Sequence, residues 1–506
     1  MAIDGEIWNM RKTVVLLSVT IILLGSPAHA EVRKEYYDSG QLRKEYTYKD
    51  GKRNGVTREY YESGRLKWEY FYRGDRRNGV TREYYESGQL KNEVPYKDDK
   101  RDGIGKGYDT NGRLKYERPY KDGKRDGIVK EYYESGHLQK ELSYKDDKLN
   151  GIGKDYDKDG RLKYERPYKD GKINGITREY YESRQLREER PHKDGKLNGI
   201  VKGYYESGRL KWEYTYKDDK LNGIAKGYYE SGQLDTKAYF IDGKINDIAR
   251  EYYENGQLRN EMPYRDGKKD GIARVYYESG QLQEERPHKD DKLNGTAKGY
   301  DKDGRLKYER PYKDGKKNGI GKDYYKSGQL LAEIPYSDGK KNGTVRGYYK
   351  SGQLKDEIPY IDGKKDGIGR DYYRSGQLLA ETPYKDGEKN GVAKGYDKSG
   401  QLLAETSYRD GKENGVARGY DKNGQLKGEI PYRDGKINGV TRVYYDSGRL
   451  WTEESYKDNE PHGTSKEFYP GGEIKYIDTY KKGQKINRKT YDESGKLLSE
   501  QDYPTE

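Results

Sequence analysis

Tyrosine, leucine and polar residues follow one another along most of this chain in a pattern that returns every 24 residues. One tyrosine position recurs at Tyr36, Tyr60 and Tyr84 and keeps this step as far as Tyr444, and a leucine position follows it from Leu42 onward. A fixed period of this length indicates a repeat architecture and outranks a window-by-window assignment of secondary structure. The chain is therefore about twenty copies of one repeat, and one local structure has to explain them all.

Segment 368–384 represents one repeat, and it predicts a β-hairpin. Two runs of alternating apolar and polar residues, 368–373 and 377–384, flank a three-residue loop that ends in Gly376. A hairpin loop of this length requires a residue with positive φ at its last position, which glycine supplies. A helix is excluded, because glycine at three places in the repeat and proline in most copies would interrupt it.

The loop also predicts which residues face each other across the hairpin. It places Tyr372 opposite Leu378 and, four residues further along each strand, Ile368 opposite Thr382. Side chains alternate along a strand, so Ile368, Tyr372 and Leu378 are expected on one apolar face, together with Tyr384. The opposite face is expected to be mostly polar.

A second turn connects each hairpin to the next. Asp386-Gly387 suits a two-residue type I′ turn that pairs Tyr384 with Lys389. One extra residue then has to be absorbed before the next strand, and a bulge at Gly391 is predicted to hold it. Together the two connections predict an all-β fold, an elongated array of antiparallel β-hairpins in a twisted meander or solenoid-like ribbon.

Three substitutions in the pattern affect the backbone. Arg184 replaces the loop glycine and Asp247 the bulge glycine, so both are expected to hold strained backbone. Asp75 replaces the turn glycine. The last repeats diverge from the others, which divides the chain into an array at 31–466 and a C-terminal cap at 467–506, because terminal repeats usually shield the end of an array.

The N-terminus is a different kind of sequence. A positively charged start at Arg11 and Lys12 precedes an apolar run at 13–24 and a small-residue site that ends at Ala30. This pattern predicts a secretory signal peptide at 1–30. The alternative, an uncleaved membrane anchor, has too short an apolar run for about 30 Å of hydrocarbon. The mature chain is therefore expected to be exported, as a periplasmic, cell-surface or secreted protein, without a transmembrane span.

Composition by itself favours a disordered chain, since 38% of the residues are charged and only 30% are hydrophobic. The 58 tyrosines argue for order, because they recur at fixed positions of the repeat. Their rings can bury apolar surface while their hydroxyls stay hydrated. There is no cysteine, so disulfides and thiolate sites are excluded. The net charge of +13 is less than one charge per repeat, which favours anionic surfaces weakly and carries no nucleic-acid signature.

No catalytic or metal site is predicted. His137, His192, His288 and His462 lie in four different repeats, without a serine or carboxylate partner at a fixed spacing. The segment 157–160 has two aspartates of a calcium loop but lacks the remaining ligands. We therefore expect a protein that is not an enzyme and needs no cofactor.

An aromatic position in the second strand is the main candidate for binding a partner. It holds a tryptophan or tyrosine at multiples of 48 residues, and the predicted register places a cation opposite each ring. Such pairs form cation–π contacts. They either reinforce the sheet or bind an extended partner such as a glycan or peptide, and the column that begins at Tyr37 is a second candidate surface. The aromatic residues are Trp68, Tyr116, Tyr164, Trp212 and Tyr308, and the cations expected opposite them are Arg58, Lys106, Lys154, Lys202 and Lys298.

The motif Tyr-x-x-Gly followed by Tyr-x-Asp-Gly-Lys-x-Asn-Gly resembles the MORN repeat in its variant bacterial form, from Glu31 to about Tyr503. The chain differs from the usual repeat by one extra residue in the second strand, and only His462-Gly463 keeps the histidine of the second turn. The resemblance implies a meander of hairpins and functions in scaffolding and in membrane or lipid contact. Bacterial proteins of this type are often labelled antitoxins, which implies a cytoplasmic partner and conflicts with the predicted signal peptide.

These observations predict an exported, non-enzymatic repeat scaffold that presents a long, polyvalent surface rich in tyrosine and lysine. Its partner is expected to be a protein, a glycan or an anionic lipid surface, and its apolar face offers a route to self-association. The alternative is an antitoxin-type or immunity-type inhibitor of one protein. A scaffold binds weakly and in proportion to the number of repeats, whereas an inhibitor has one tight, stoichiometric site.

The predicted signal peptide is tested by the N-terminus of the mature protein. We expect the protein recovered outside the cytoplasm to begin at Glu31, because the small-residue site ends at Ala30. Mass spectrometry of the purified native protein measures this. Full-length protein retained in the cytoplasm would contradict export.

Overall fold

The computed structural model describes residues 30–504, and these form an all-β chain without a helix. The predicted signal peptide, except its last residue, lies outside the described residues. Within the range 30–504 there is no helix of the length and apolarity that crossing a membrane requires. The chain divides into an N-terminal unit, Met1–Lys244, and a C-terminal unit, Ile245–Glu506. Each unit is an array of antiparallel hairpins, which confirms the predicted fold class.

Each repeat contributes a short strand, a longer strand and a two-residue segment that continues into the next short strand. Where the segment and the next strand join, one longer strand results, as in Lys412–Tyr420. The strands of the first part of the chain are Glu31–Tyr36, Leu42–Lys49, Lys52–Arg53, Gly55–Tyr60, Leu66–Arg73, Arg76–Arg77, Gly79–Tyr84, Leu90–Lys97, Lys100–Arg101, Gly103–Tyr108, Leu114–Lys121, Lys124–Arg125, Gly127–Tyr132, Leu138–Lys145, Lys148–Leu149, Gly151–Tyr156, Leu162–Lys169, Lys172–Ile173, Gly175–Tyr180, Leu186–Lys193, Lys196–Leu197, Gly199–Tyr204, Leu210–Lys217, Lys220–Tyr228 and Leu234–Ile241.

The remaining strands repeat the same arrangement. They are Lys244–Tyr252, Leu258–Arg265, Lys268–Lys269, Gly271–Tyr276, Leu282–Lys289, Lys292–Leu293, Gly295–Tyr300, Leu306–Lys313, Lys316–Lys317, Gly319–Tyr324, Leu330–Ser337, Lys340–Lys341, Gly343–Tyr348, Leu354–Ile361, Lys364–Lys365, Gly367–Tyr372, Leu378–Lys385, Glu388–Lys389, Gly391–Tyr396, Leu402–Arg409, Lys412–Tyr420, Leu426–Arg433, Lys436–Ile437, Gly439–Tyr444, Leu450–Lys457, Glu460–Pro461, Gly463–Phe468, Ile474–Lys481, Gln484–Tyr491 and Leu497–Asp502.

The predicted hairpin register is correct next to the loop and wrong beyond it. Tyr372 lies opposite Leu378, as expected, but the register then shifts by one residue and Ile368 lies opposite Pro383. The shift occurs because Leu379 is left without a partner, so the extra residue of the long strand forms a bulge beside the loop. A one-residue slip moves every following side chain to the other face of a sheet. Tyr384 is therefore on the face opposite Ile368.

Each repeat has two faces that differ in their side chains. We call one the aromatic face, and it carries the positions of Gly369, Asp371, Ala380, Thr382 and Tyr384 in every repeat. We call the other the ion-pair face. It carries the positions of Ile368, Arg370, Tyr372, Leu378, Glu381 and Pro383.

The buried core lies on the aromatic face, at the Gly369 position. The residues there are small, and most of those that are fully buried belong to this column. They include Thr57, Thr81, Val129, Thr177, Val201, Ala225, Ala273, Ala297 and Ser465. Most isoleucines and valines at the Ile368 position are instead between 42% and 56% exposed, which corrects the expectation of a buried apolar face there. They include Ile104, Ile128, Ile152, Ile176, Ile200, Ile224, Ile272, Ile320, Ile368 and Val392.

The predicted type I′ turn is confirmed. Asp386 and Gly387 both have positive φ, 52° and 102°, and Tyr384 pairs with Lys389. The bulge that follows lies at Gly391, as predicted, with φ of 114°. It absorbs two residues rather than one. Glu381 pairs with Lys394 and Tyr384 pairs with Lys389, so a stretch of three residues on one strand faces a stretch of five on the other.

Aspartate at the second turn position is stabilised by a bond to the preceding repeat. Asp75 has φ of 69°, in the left-handed region that favours glycine. Its Oδ1 accepts the backbone N–H of Arg53 at 2.8 Å. The same bond is formed by four other aspartates at this position, over 2.7 to 2.9 Å: Asp99, Asp147, Asp219 and Asp291.

The two non-glycine replacements hold positive φ as predicted, at 68° for Arg184 and 74° for Asp247. The bulge glycines have a second requirement. A β-carbon at Gly391 would lie 3.0 Å from Cγ of Pro383, because the proline packs onto the bulge. Glycine is therefore needed at the bulge for its backbone conformation and for the close approach of proline.

Alanine substitutions at three glycines of one region separate the requirement for positive φ from the requirement for space beside the proline. Gly391→Ala combines positive φ with the proline contact, and we expect it to destabilise its repeat by more than the roughly 1–2 kcal/mol of left-handed backbone alone. Gly376→Ala has positive φ and open space, so it should lose about that amount. Gly395→Ala has neither constraint and is the control. Amide hydrogen exchange in residues 367–408 measures the local stability. Equal effects of all three would contradict the assignment.

Candidate functional site

The five predicted cations lie on the ion-pair face, away from the predicted aromatic residues. Arg58 is opposite Glu69, and its Nε lies 3.1 Å from Glu69 Oε1. Trp68 is opposite Glu59 instead. The predicted cation–π pairs are therefore wrong, because the bulge shifts the register by one residue. The other four cations are also opposite glutamates: Lys106 faces Glu117, Lys154 faces Glu165, Lys202 faces Glu213 and Lys298 faces Glu309.

Ion pairs and tyrosine hydroxyls connect neighbouring repeats on this face. Arg370 contacts Glu381 across its own hairpin at 3.0 Å and Glu357 of the preceding repeat at 3.4 Å. Tyr372 also donates its hydroxyl to Glu357, at 3.0 Å. The tyrosine link, from each repeat to the glutamate 15 residues earlier, recurs in both units. Further examples are Tyr108 to Glu93, Tyr156 to Glu141, Tyr204 to Glu189, Tyr276 to Glu261 and Tyr324 to Glu309.

These links are accompanied by raised tyrosine pKa values. Burial raises the pKa of Tyr156 and Tyr324 to about 12, and the neighbouring glutamate adds to the rise. The hydrogen bond that Lys226 donates lowers the pKa of Glu213, against the opposing effect of burial. The folded chain thus favours the neutral form of these tyrosines.

The aromatic residues lie half-buried on the aromatic face, and three of them pack over a glycine. A β-carbon at Gly107 would overlap with the ring of Tyr116, and Gly203 and Gly299 stand in the same relation to Trp212 and Tyr308. In each case the glycine is the cross-strand partner of the ring. The missing side chain leaves the space that the ring occupies.

The rings contact residues two positions further along their own strand. Trp68 stacks on Tyr70 with ring centroids 5.7 Å apart, and Trp212 stacks on Tyr214 at 4.7 Å. The remaining three rings have an arginine at that position instead. Arg118 lies 3.9 Å from the ring centre of Tyr116, Arg166 4.6 Å from that of Tyr164 and Arg310 5.2 Å from that of Tyr308.

A second set of contacts, which sequence reasoning missed, involves the tyrosine at the Tyr384 position and a cation 19 residues before it. We call these the tyrosine–cation pairs. The sequence signal for these pairs is a cation two residues after the turn in many repeats, where other repeats have leucine or isoleucine. In the N-terminal unit they are Arg53 with Tyr72, Arg77 with Tyr96, Arg101 with Tyr120 and Arg125 with Tyr144, at 4.1 to 5.1 Å. In the C-terminal unit they are Lys317 with Tyr336, Lys341 with Tyr360, Lys365 with Tyr384 and Lys389 with Tyr408, at 4.6 to 5.0 Å.

The column that begins at Tyr37 has a structural contact in most repeats. The Tyr37 hydroxyl donates to the carbonyl of Tyr60 at 2.7 Å, and Tyr61 does the same to Tyr84 at 2.8 Å. The hydroxyls are therefore occupied by the following repeat. Where aspartate replaces this tyrosine, as at Asp157, its carboxylate accepts N–H groups of its own loop.

Three of the histidines contact backbone carbonyl groups, and His137 lies beside the acidic loop 157–160, where its Nδ1 is 2.8 Å from the carbonyl of Lys158. Nδ1 of His192 lies 2.8 Å from the carbonyl of Arg190, and His288 has the same contact with Arg286. Burial lowers the pKa of His288. Among residues 30–504 there is no group of three or more histidine, aspartate or glutamate side chains that is suitable for a metal ion.

The raised tyrosine pKa values predict loss of stability at alkaline pH. A group whose pKa is higher in the folded state contributes fully below its unfolded pKa, here about 10, and the contribution is lost as the pH rises through about 12. We therefore expect the melting temperature to fall between pH 10 and pH 12, in step with tyrosinate absorbance.

Glu309→Gln provides the control for this titration. It removes the charge beside Tyr324, so the pKa of that tyrosine should move back towards its ordinary value. Tyrosines that all titrate near pH 10, without a change in melting temperature, would contradict the assignment.

Comparisons with solved structures give only low similarity. The crystal structures of TcdB2-TccC3-Cdc42 and of TcdB2-TccC3 align at 11% identity, with TM-scores of 0.13 and 0.14. Each alignment covers 94% of this chain and 31% of the other, so this chain spans about a third of the length of those proteins. Likeness at these TM-scores supports no statement about fold or function. The search of curated proteins found no match.

The model of the MORN repeat variant matches most of the chain, in 18 segments that follow the repeats described above. Segments 51–76 and 171–196 fall between matches, although both carry the same strands. The matched residues are 32–50, 77–98, 101–122, 125–146, 149–170, 197–218, 221–242, 248–266, 269–290, 293–314, 317–338, 341–362, 365–386, 389–410, 413–434, 437–458, 461–482 and 486–503. These matches extend over more than half of the residues, and the chain belongs to the MORN repeat variant family.

Proposed function

We propose that this chain is an exported, non-enzymatic scaffold that binds anionic partners at the cell envelope through its tyrosine–cation pairs. Membership of the MORN repeat variant family supports a repeat scaffold. Export rests on the predicted signal peptide, and the partner is identified here only by its charge and by its repetition.

The observation that carries the proposal is the set of four lysines in the C-terminal unit, Lys317, Lys341, Lys365 and Lys389. Each lies over a tyrosine ring, and within the described residues none of them is in an ion pair with a carboxylate. The cations of the ion-pair face are different, since Arg370 contacts two glutamates. Charge that the protein leaves uncompensated is available to a partner.

The spacing of these lysines favours a partner with repeated anionic groups. Two strands per repeat, about 4.8 Å apart, separate successive lysines by roughly 10 Å before twist is considered. One exposed cation contributes little to affinity. Several cations that engage one extended partner act together, because each further contact forms at a high effective concentration.

Lysine-to-leucine substitutions test this proposal by steps. Leucine is the natural residue of this column at Leu149, Leu197 and Leu293, so the repeat is expected to keep its fold. Replacement of one, two, three and then all four of the lysines should weaken binding of full-length protein to isolated envelope fragments progressively, by a similar factor at each step. Co-sedimentation at fixed ionic strength measures the binding.

Lys364→Leu is the matched control, since it removes the same charge from a neighbouring turn and should have little effect. Binding that is unchanged after all four replacements would contradict the proposal. Complete loss after one particular replacement, with no effect of the others, would instead indicate a single-site inhibitor.

A further inference from the structure

A cavity of about 290 Å³ lies on the aromatic face of the N-terminal unit. It extends over three consecutive repeats, from Trp68 through Tyr96 to Tyr116 and Tyr120. Sites for small molecules are usually concave and lined by aromatic groups with a few placed polar groups. The volume is at the lower end for such sites, which suits one ring of a larger ligand.

The walls of this cavity are rings with fixed orientations. At one end Trp68 stacks on Tyr70, with an angle of 11° between the rings. At the other end the ring of Tyr116 lies over Gly107, and its hydroxyl donates to Asn92 Oδ1 at 2.6 Å. These contacts fix both ends before any ligand binds, which lowers the entropic cost of binding.

One buried polar group in the cavity lacks a partner. Thr81 lines the cavity and is only 5% exposed, and its Oγ1 has no hydrogen-bond partner in the described part of the chain. A buried hydroxyl without a partner costs free energy that a ligand hydroxyl can recover after a change of the threonine rotamer. The nearby Asn92 is already occupied, since its Nδ2 donates to Glu83 at 2.6 Å.

The charge of the cavity is positive. Its one carboxylate, Glu83, is paired with Lys91 at 2.8 Å. Arg77 is 3.9 Å from Asp99, while Arg101 and Arg118 have no ion pair within residues 30–504. Two guanidinium groups thus line the cavity without an anionic partner. Their planar fork matches a carboxylate in particular.

We propose that this cavity binds one uronic-acid ring of an acidic polysaccharide. The apolar C–H face of the sugar lies on the aromatic side chains, its hydroxyls meet Thr81 and the tyrosine hydroxyls, and its carboxylate is held by Arg101 and Arg118. This proposal rests on the proposed function, because an exported protein is the one that meets such a polysaccharide. It gives one site on the aromatic face a ligand of defined chemistry.

Binding of trigalacturonate to the full-length protein tests the assignment, with the methyl ester of the same trimer as the matched neutral ligand. Calorimetry should show binding of the acid and an affinity at least about tenfold lower for the ester, because the ester lacks the charge that the two guanidinium groups bind. Arg118→Gln should lower the affinity for the acid by about the same factor. Equal affinity for acid and ester would overturn the proposal.

Three further variants separate the site from its surroundings. Arg125→Gln changes a tyrosine–cation pair outside the cavity and should leave the affinity unchanged. Trp68→Ala should abolish binding, while Trp68→Tyr should restore most of it and so exclude unfolding as the cause. Retention of full affinity by Trp68→Ala, or equal competition by inorganic phosphate, would overturn the sugar assignment.

Binding of trigalacturonate and binding of envelope fragments depend on different residues, so the two proposals can fail independently. Replacement of the four C-terminal lysines should leave trigalacturonate binding intact. Envelope binding that depends on those lysines, in a protein without affinity for trigalacturonate, would overturn the cavity assignment alone.

Discussion

The structure depends on the single residue that each long strand leaves unpaired beside its loop. In the repeat at 367–390 this residue is Leu379, and it moves the whole of the hairpin beyond it by one position. Small residues such as Val129 and Ala273 are buried in consequence, while Ile368 and most isoleucines at its position are exposed. The same shift places arginine opposite glutamate, and it leaves the aromatic rings in contact with the tyrosine or arginine two residues further along their strand. A bulge is therefore the feature that assigns every side chain to its surface.

Much of the fold could be predicted from the sequence, because local chemistry determines it. The turn at Asp386-Gly387 and the positive φ of Arg184 follow from what two-residue and three-residue connections require. The position of the bulge could not be predicted, since an extra residue can be absorbed anywhere in a strand and only cross-strand packing decides where. The predicted partners of Trp68 failed for that reason, and the true neighbour Tyr70 was two residues away.

The two faces differ in how much of their charge is already used. On the ion-pair face, glutamates such as Glu357 and Glu381 accept hydrogen bonds from Arg370 and from the tyrosine of the next repeat, so their interactions are satisfied within the protein. On the aromatic face the lysines and several arginines lie over rings, and a π system neutralises no charge. The arginine–glutamate pairs therefore lie on one face, whereas the four lysines of the C-terminal unit lie over rings on the face that also holds the buried core. This difference between the two faces follows from the register of the hairpins.

Contacts between repeats are directed at immediate neighbours: a tyrosine reaches 15 residues back to a glutamate, another reaches 23 residues forward to a carbonyl, and a turn aspartate reaches 22 residues back to an amide. A block of 24 residues can therefore be gained or lost in a gene without creating an unfamiliar junction, because the new neighbours offer the same groups at the same places. The number of repeats in such a protein can therefore change without loss of the contacts between repeats. Substitutions within a repeat remain constrained by the repeats on either side.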